Sequence, residues 1–191
     1  MTDPLIPATL AFRANGTPYS PRHNDIYHSA VGSVAQAQYV FLQGNRLPER
    51  WQGQQRFTVL ETGFGMGINF LTTWAAWRAD AARCEHLHFV SIEKHPFSAD
   101  DLRRAYAVTV NDESIAALAD TLATAWPLLS PGTHRLEFEG GSVTLTLVFG
   151  DAVDVLPALS LRADAFYFDG FAPAKNPELW SVEIFRLLAG L

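Results

Sequence analysis

Apolar positions along the chain follow two periods. Short runs of strand-forming residues alternate with stretches in which apolar residues recur every three to four positions, the pattern of an α/β sheet. Residues 57–60 form the first buried run, and Glu61 ends it. From Ile68 the pattern turns helical through Leu71, Thr72 and Ala75 to about Ala79, with Trp74 and Trp77 as packing residues. Residues 87–93 form a second strand, apolar through its middle as a strand covered on both faces should be. Ser98 is a good N-cap for the next helix, and 112–125 reads as an alanine-rich helix stopped by Pro127 and Pro131-Gly132. A hairpin follows: 134–139 alternates, Gly140-Gly141 turns and 142–149 returns. Residues 153–159 look helical, 164–169 are the fourth buried strand, and a last helix is expected from about Glu178.

Upstream, Asn15-Gly16-Thr17-Pro18 is a strong turn signal between short strands expected at 9–12 and 25–28, the second ending at His28. A further apolar segment at 38–42 runs into a turn at Gln43-Gly44-Asn45. The expected organisation is an N-terminal arm or cap over 1–50 and an α/β unit over 51–191.

Between the first strand and its helix lies Glu61-Thr-Gly63-Phe64-Gly65-Met-Gly67-Ile68-Asn69. Strand, glycine turn and helix open a nucleotide-binding βαβ unit. A nicotinamide fingerprint needs G-x-G-x-x-G, and Ile68 stands where its third glycine belongs. A carboxylate before the turn would repel a pyrophosphate but suits a cation. E-x-G-x-G-x-G therefore points to S-adenosyl-L-methionine (SAM), which carries a sulfonium and an ammonium. Glu93, at the end of the second strand, is placed to accept from both ribose hydroxyls. Asp151 and Ala152, at the end of the third, can meet an adenine amine and ring nitrogen, or Asp151 can simply cap the helix that follows.

Asp169 ends the fourth strand, where open α/β sheets place their chemistry. Its carboxylate can accept an amine N–H and orient the lone pair, or take the proton. Phe171 offers a face for a planar base, Lys175 a phosphate contact, and Asn176 with Pro173 and Pro177 a stiff loop.

The chain has 191 residues, 48% apolar and 18% charged, enough for one domain with a full core. No apolar run approaches the roughly 20 residues of a membrane span, and no basic-then-apolar leader is present, so a cytoplasmic location is expected. The single cysteine, Cys84, allows neither an internal disulfide nor a cysteine metal cluster. His86 and His88 share a strand face but lack a third ligand, so no metal is expected. The net charge of −6 argues against an extended nucleic-acid surface, though not against a local basic patch. Twelve of the 14 basic residues are arginine; the lysines are Lys94 and Lys175, both within the stretches singled out here.

Asp169-Gly-Phe-Ala-Pro-Ala-Lys-Asn-Pro-Glu-Leu-Trp180 resembles the D-G-F-x-P-x-K-N-P-x-x-W signature of the tRNA 5-methylaminomethyl-2-thiouridine biosynthesis methyltransferases (MnmC type). Glu61 to Phe70 is similar to that family's SAM loop, and the stretches 12–28 and 39–45 to its leader. The resemblance implies a Rossmann-like class I SAM-dependent methyltransferase that methylates the exocyclic amine of 5-aminomethyl-uridine at the tRNA wobble position. It implies Asp169 as the catalytic residue and Phe171, Lys175, Asn176 and Pro177 as substrate contacts. Glu61, Gly63, Phe64, Gly65, Gly67, Asn69, Glu93, Lys94, Asp151 and Ala152 would hold SAM. In many relatives an FAD-dependent oxidoreductase domain follows, in the same chain or as a separate protein. The family also continues past Leu191 with further strands, so an incomplete sheet, poor solubility and impaired activity are expected of these residues alone. Two other readings stay open: a methyltransferase acting on a small-molecule or protein amine, and an inactive fragment.

Overall fold

A computed structural model describes residues 4–27 and 32–191. The arm forms a three-stranded antiparallel sheet, β1 (Ala11–Phe12), β2 (Pro18–Ser20) and β3 (Asp25–Ile26). The expected turn joins β1 to β2, but a third strand appears where the sequence showed only a loop. Strands of two or three residues are too short for a period to register. His28 lies outside the described residues. The 38–42 segment is helical: α1 (Ser33–Ala37) runs on into a π-helical turn, Gln38–Gln43, that buries Phe41 and Leu42.

The main sheet takes its strands in the order β6-β7-β5-β4-β8. Here β4 is Arg56–Thr62, β5 His86–Glu93, β6 Gly132–Phe138, β7 Val143–Phe149 and β8 Ala165–Phe168. All pair in parallel except the β6–β7 hairpin. Strand β4 runs two residues beyond the sequence expectation and takes in Glu61. Its parallel pairing with both β5 and β8 continues to Thr62, opposite Ile92 and Phe168. Strand β8 is the edge. Asn45 donates to the Phe166 carbonyl in it, and Arg50 to the Asp164 carbonyl just before it.

Helices α2 (Ile68–Ala79), α3 (Ala99–Thr109) and α4 (Glu113–Thr124) cover one face of this sheet. Ser98 and Asp112 cap α3 and α4 with their side chains. Trp74 and Trp77 are core residues, with Trp77 Nε1 donating to the Cys84 carbonyl at 2.9 Å. On the other face, α5 (Ala152–Val155) with its 3-10 extension and α6 (Val182–Leu188) pack a smaller core around Leu60, Val90, Ile92 and Val148. Helix α6 starts later than the expected Glu178, because Ser181 rather than the Pro177–Trp180 turn supplies the cap, accepting from Ile184 N–H. No helix is long and apolar enough to cross a membrane among the described residues.

Candidate active site

The carboxyl ends of β4, β5, β7 and β8 and the underside of the arm enclose a cavity of about 840 Å³. This is the crevice where open parallel sheets bind ligands. The arm is held over it from both sides. Ala8 N–H donates to the Pro96 carbonyl at 3.1 Å, His95 Nδ1 meets the Ile6 carbonyl at 2.8 Å, and Ala172 N–H reaches Asp25 Oδ2 at 3.3 Å.

The turn after β4 forms the floor. Gly63 has φ 87°, and a Cβ there would lie 1.9 Å from the Asp169 carbonyl oxygen. The ends of β4 and β8 therefore touch backbone to backbone, which only glycine allows. Gly65, at φ 54°, turns its bare Cα toward Tyr27 and donates its N–H to Glu93 Oε2 at 2.9 Å. The other oxygen of Glu93 accepts from His95 N–H at 2.7 Å. Glu93 is thus fixed by two backbone donors at the end of β5 and still lines the cavity.

Of the two roles the sequence left open for Asp151, the helix cap is seen directly. Its Oδ1 caps α5 through Val153 N–H at 3.1 Å, and it lines the cavity beside Ala152. Burial pushes its pKa up, but Lys94, 2.5 Å from Oδ2, outweighs that and holds the carboxyl below its usual range. Lys94 also approaches Glu178 at 3.5 Å.

Asp169 sits just past β8, its Oδ2 accepting from Asn69 Nδ2 at 2.6 Å. Burial raises its pKa to about 6, with the Glu93 charge adding to the shift and Asn69 opposing it. A carboxyl raised in this way stabilises the fold fully below its unfolded pKa, and that contribution is lost as pH rises through about 6. Thermal melts should therefore show Asp169→Asn gaining on the wild type by about 3 kcal/mol at pH 7.5 and by only about 0.5 kcal/mol at pH 4. Equal gains at both pH values would refute a raised Asp169.

Eleven of the sequence candidates line the cavity: Gly63, Phe64, Gly65, Asn69, Glu93, Lys94, Asp151, Ala152, Asp169, Phe171 and Asn176. The Phe64 ring itself turns inward and stacks on Trp126 at 5.5 Å. Four candidates do not line it. Glu61 lies beneath the floor with no exposed surface, because β4 carries it into the sheet interior. Gly67 caps α2 behind the Phe64 ring. Lys175 and Pro177 are exposed on their loop. The face of Phe171 is also not bare: His23 stacks on it at 4.4 Å, and Tyr27 meets it edge-on at 5.1 Å. His23, Asp25 and Tyr27 were missed in the sequence. His23 lies in the turn before β3, Asp25 in β3 and Tyr27 just after it, and only the fold brings them to Phe171. Burial pushes the Tyr27 phenol up to about 12, with Glu93 adding to it.

His86 and His88 do share a face, with ring centroids 6.5 Å apart, but His88 is engaged by Thr146 at 2.9 Å. Burial and then Arg135 and Arg56 push His88 down to about 4. No cluster of three or more metal-binding side chains occurs among the described residues.

A parallel sheet with helices on both faces and a glycine turn at its ligand crevice defines a Rossmann-like fold of the SAM-dependent methyltransferase class. A family described as S-adenosyl-L-methionine-dependent methyltransferase matches residues 113–191. The full length of the chain matches part of the MnmC-type bifunctional proteins and spans about 29% of their length. It is 73% identical over 191 residues to the tRNA 5-methylaminomethyl-2-thiouridine biosynthesis bifunctional protein MnmC of Paraburkholderia xenovorans (strain LB400). It is 65% identical over 191 residues to that of Burkholderia thailandensis. In both cases the match covers 100% of this chain and 29% of the relative. The crystal structure of MNMC2 from Aquifex aeolicus matches all of this chain and 57% of its own, with TM-score 0.73 at 23% identity, a likeness of fold.

Proposed function

We propose that this chain binds SAM on the glycine turn and methylates the exocyclic amine of 5-aminomethyl-(2-thio)uridine at the tRNA wobble position. The observation that carries the reading is Asp169. It is a carboxyl at the end of β8, oriented by Asn69 and open to a cavity that the glycine turn floors. The names of the MnmC-type relatives support tRNA as the substrate, and a tRNA substrate supports a cytoplasmic location.

The residues present suit SAM. A Cβ at Gly65 would project toward Tyr27 across the cavity, so its absence leaves the floor open to a ligand. Asp25, Glu93, Asp151, Asp169 and Glu178 outnumber Arg22 and Lys94 among the charged residues of the lining, a balance that favours a cationic ligand. Glu93 is placed for ribose hydroxyls, and Asp151 with Ala152 for adenine. When bound, SAM supplies a methyl carbon activated by its sulfonium. Asp169 accepts an N–H of the substrate amine, aims the nitrogen lone pair and receives the proton released. Phe171, with Tyr27 at its edge, takes the pyrimidine once His23 gives up the ring face. Lys175 and Asn176 reach the flanking nucleotide from the same loop.

Calorimetric titration with SAM and S-adenosylhomocysteine tests the cofactor, and micromolar binding is expected. A methyl-transfer assay then compares tRNA carrying the aminomethyl group with free amines. The net charge of −6 favours a small-molecule or protein amine as the second reading. Turnover on free amines without turnover on tRNA would establish it.

A further inference from the structure

Glu61 is completely buried in the centre of the sheet, and it makes no ion pair among the described residues. A carboxyl at such a position costs stability that an apolar residue would not. Its neighbours on the same face of β4, Phe57 and Val59, are apolar core. The sheet alone therefore gives Glu61 no reason to be there.

Its hydrogen bonds do. Glu61 Oε2 accepts from Ser91 Oγ at 2.6 Å, and Oε1 accepts from Asn69 Nδ2 at 2.9 Å. The same Asn69 nitrogen donates to Asp169 Oδ2 at 2.6 Å. Both N–H bonds of one amide are thus committed, one to a carboxyl under the floor and one to the carboxyl in the cavity. Asn69 is also braced from its backbone: Thr73 Oγ1 donates to its carbonyl at 2.7 Å and lies 3.2 Å from the Tyr167 hydroxyl.

The geometry points to Glu61 as a positioning residue that orients Asp169 through the Asn69 amide; this rests on the reading of Asp169 as the amine-orienting group. Without Glu61, the Asn69 amide is free to rotate, and Asp169 loses its fixed donor. The titratable groups around the pair are Glu93 on β5, Tyr167 on β8 and Tyr27 on the arm. Burial first, and then the charges of Asp169 and Glu93, raise Glu61 well above the usual carboxylate range.

The test measures methyl transfer to the aminomethyl tRNA and SAM binding for Glu61→Leu, Glu61→Gln, Asn69→Ala and Asp169→Asn. Glu61→Leu is expected to lower kcat at least about tenfold, with SAM affinity and the KM for tRNA within about twofold. Glu61→Gln can still accept from Asn69 and donate to Ser91, and is expected to recover most of that loss. Asn69→Ala cuts the link in a helix that alanine suits, so it serves where Glu61→Leu does not fold. It should lower kcat and move the acidic limb of the pH–rate profile upward, since Asp169 loses a donor to its charged form. Glu61→Leu combined with Asn69→Ala should be no worse than Asn69→Ala alone. Wild-type kcat in a folded, SAM-binding Glu61→Leu protein, Glu61→Gln no better than Glu61→Leu, or an unmoved limb in Asn69→Ala would overturn the positioning role. Asp169→Asn separates the two failures. Its full activity removes the reaction centre itself, whereas its inactivity beside an active Glu61→Leu removes only the role of Glu61.

Discussion

Asp169→Asn is expected to lower methyl transfer about a hundredfold while SAM still binds. The substitution keeps an oxygen to accept from Asn69 Nδ2, now 2.6 Å from the carboxyl, so the floor of the cavity should hold its shape. What it removes is the capacity to take a proton from the amine. The carboxyl's pKa of about 6 lets it act as a base at neutral pH while remaining a stronger base than an ordinary aspartate. In the wild type, kcat/KM should accordingly rise to a plateau above about pH 6, and the asparagine variant should lose that limb. Single-turnover methylation with saturating SAM is the direct measurement. A variant within twofold of the wild type would show that Asp169 only shapes the cavity.

Gly63→Ala is expected to be the most damaging single methyl group in the molecule. The added carbon would fall 1.9 Å from the Asp169 carbonyl oxygen, a backbone atom with no rotamer to yield, and at a φ of 87° that alanine rarely adopts. Separating the two strand ends would break the contact that sets β8 beside the turn. A loss of at least about 3 kcal/mol is expected, visible as a large drop in Tm. Gly65→Val offers the contrast. There a Cβ would meet Tyr27 Cδ1 at 3.7 Å, an ordinary van der Waals contact. That variant should fold with a loss of roughly 1–2 kcal/mol from strain at positive φ and fail to bind SAM in calorimetry. A Gly63→Ala protein as stable as the wild type would mean that the close approach of β4 and β8 is not as described.

The central βαβ unit was legible because its signals are long and local. The run 57–60, the alternating glycines and the 3.6-residue period from Ile68 fix strand, turn and helix without help from the rest of the chain. The same holds for the hairpin around Gly140-Gly141 and for Asp169, which a strand and a loop motif bracket. Three features were out of reach for three reasons. Glu61 reads as a strand-end acid because nothing local reveals that β5 and β8 carry the pairing to Thr62. Asn69 looks like part of the turn, and only the fold shows its amide divided between carboxyls 8 and 100 residues away. His23 sits in the turn between two very short strands and Tyr27 just after the second, and their meeting with Phe171 depends wholly on where the arm docks.

That docking carries a consequence for how the protein is made. The arm leaves the ribosome before the sheet does, yet Asp25 is bonded to a residue 147 positions later and His95 ties back across 89 positions to Ile6. Until the loop after β8 has been translated, the arm has only half its seat. A nascent chain that already holds the glycine turn still lacks the roof of its binding site. Ligand capture is therefore late relative to synthesis of the glycine turn, and the arm, made before the sheet, is among the last parts to reach its native place.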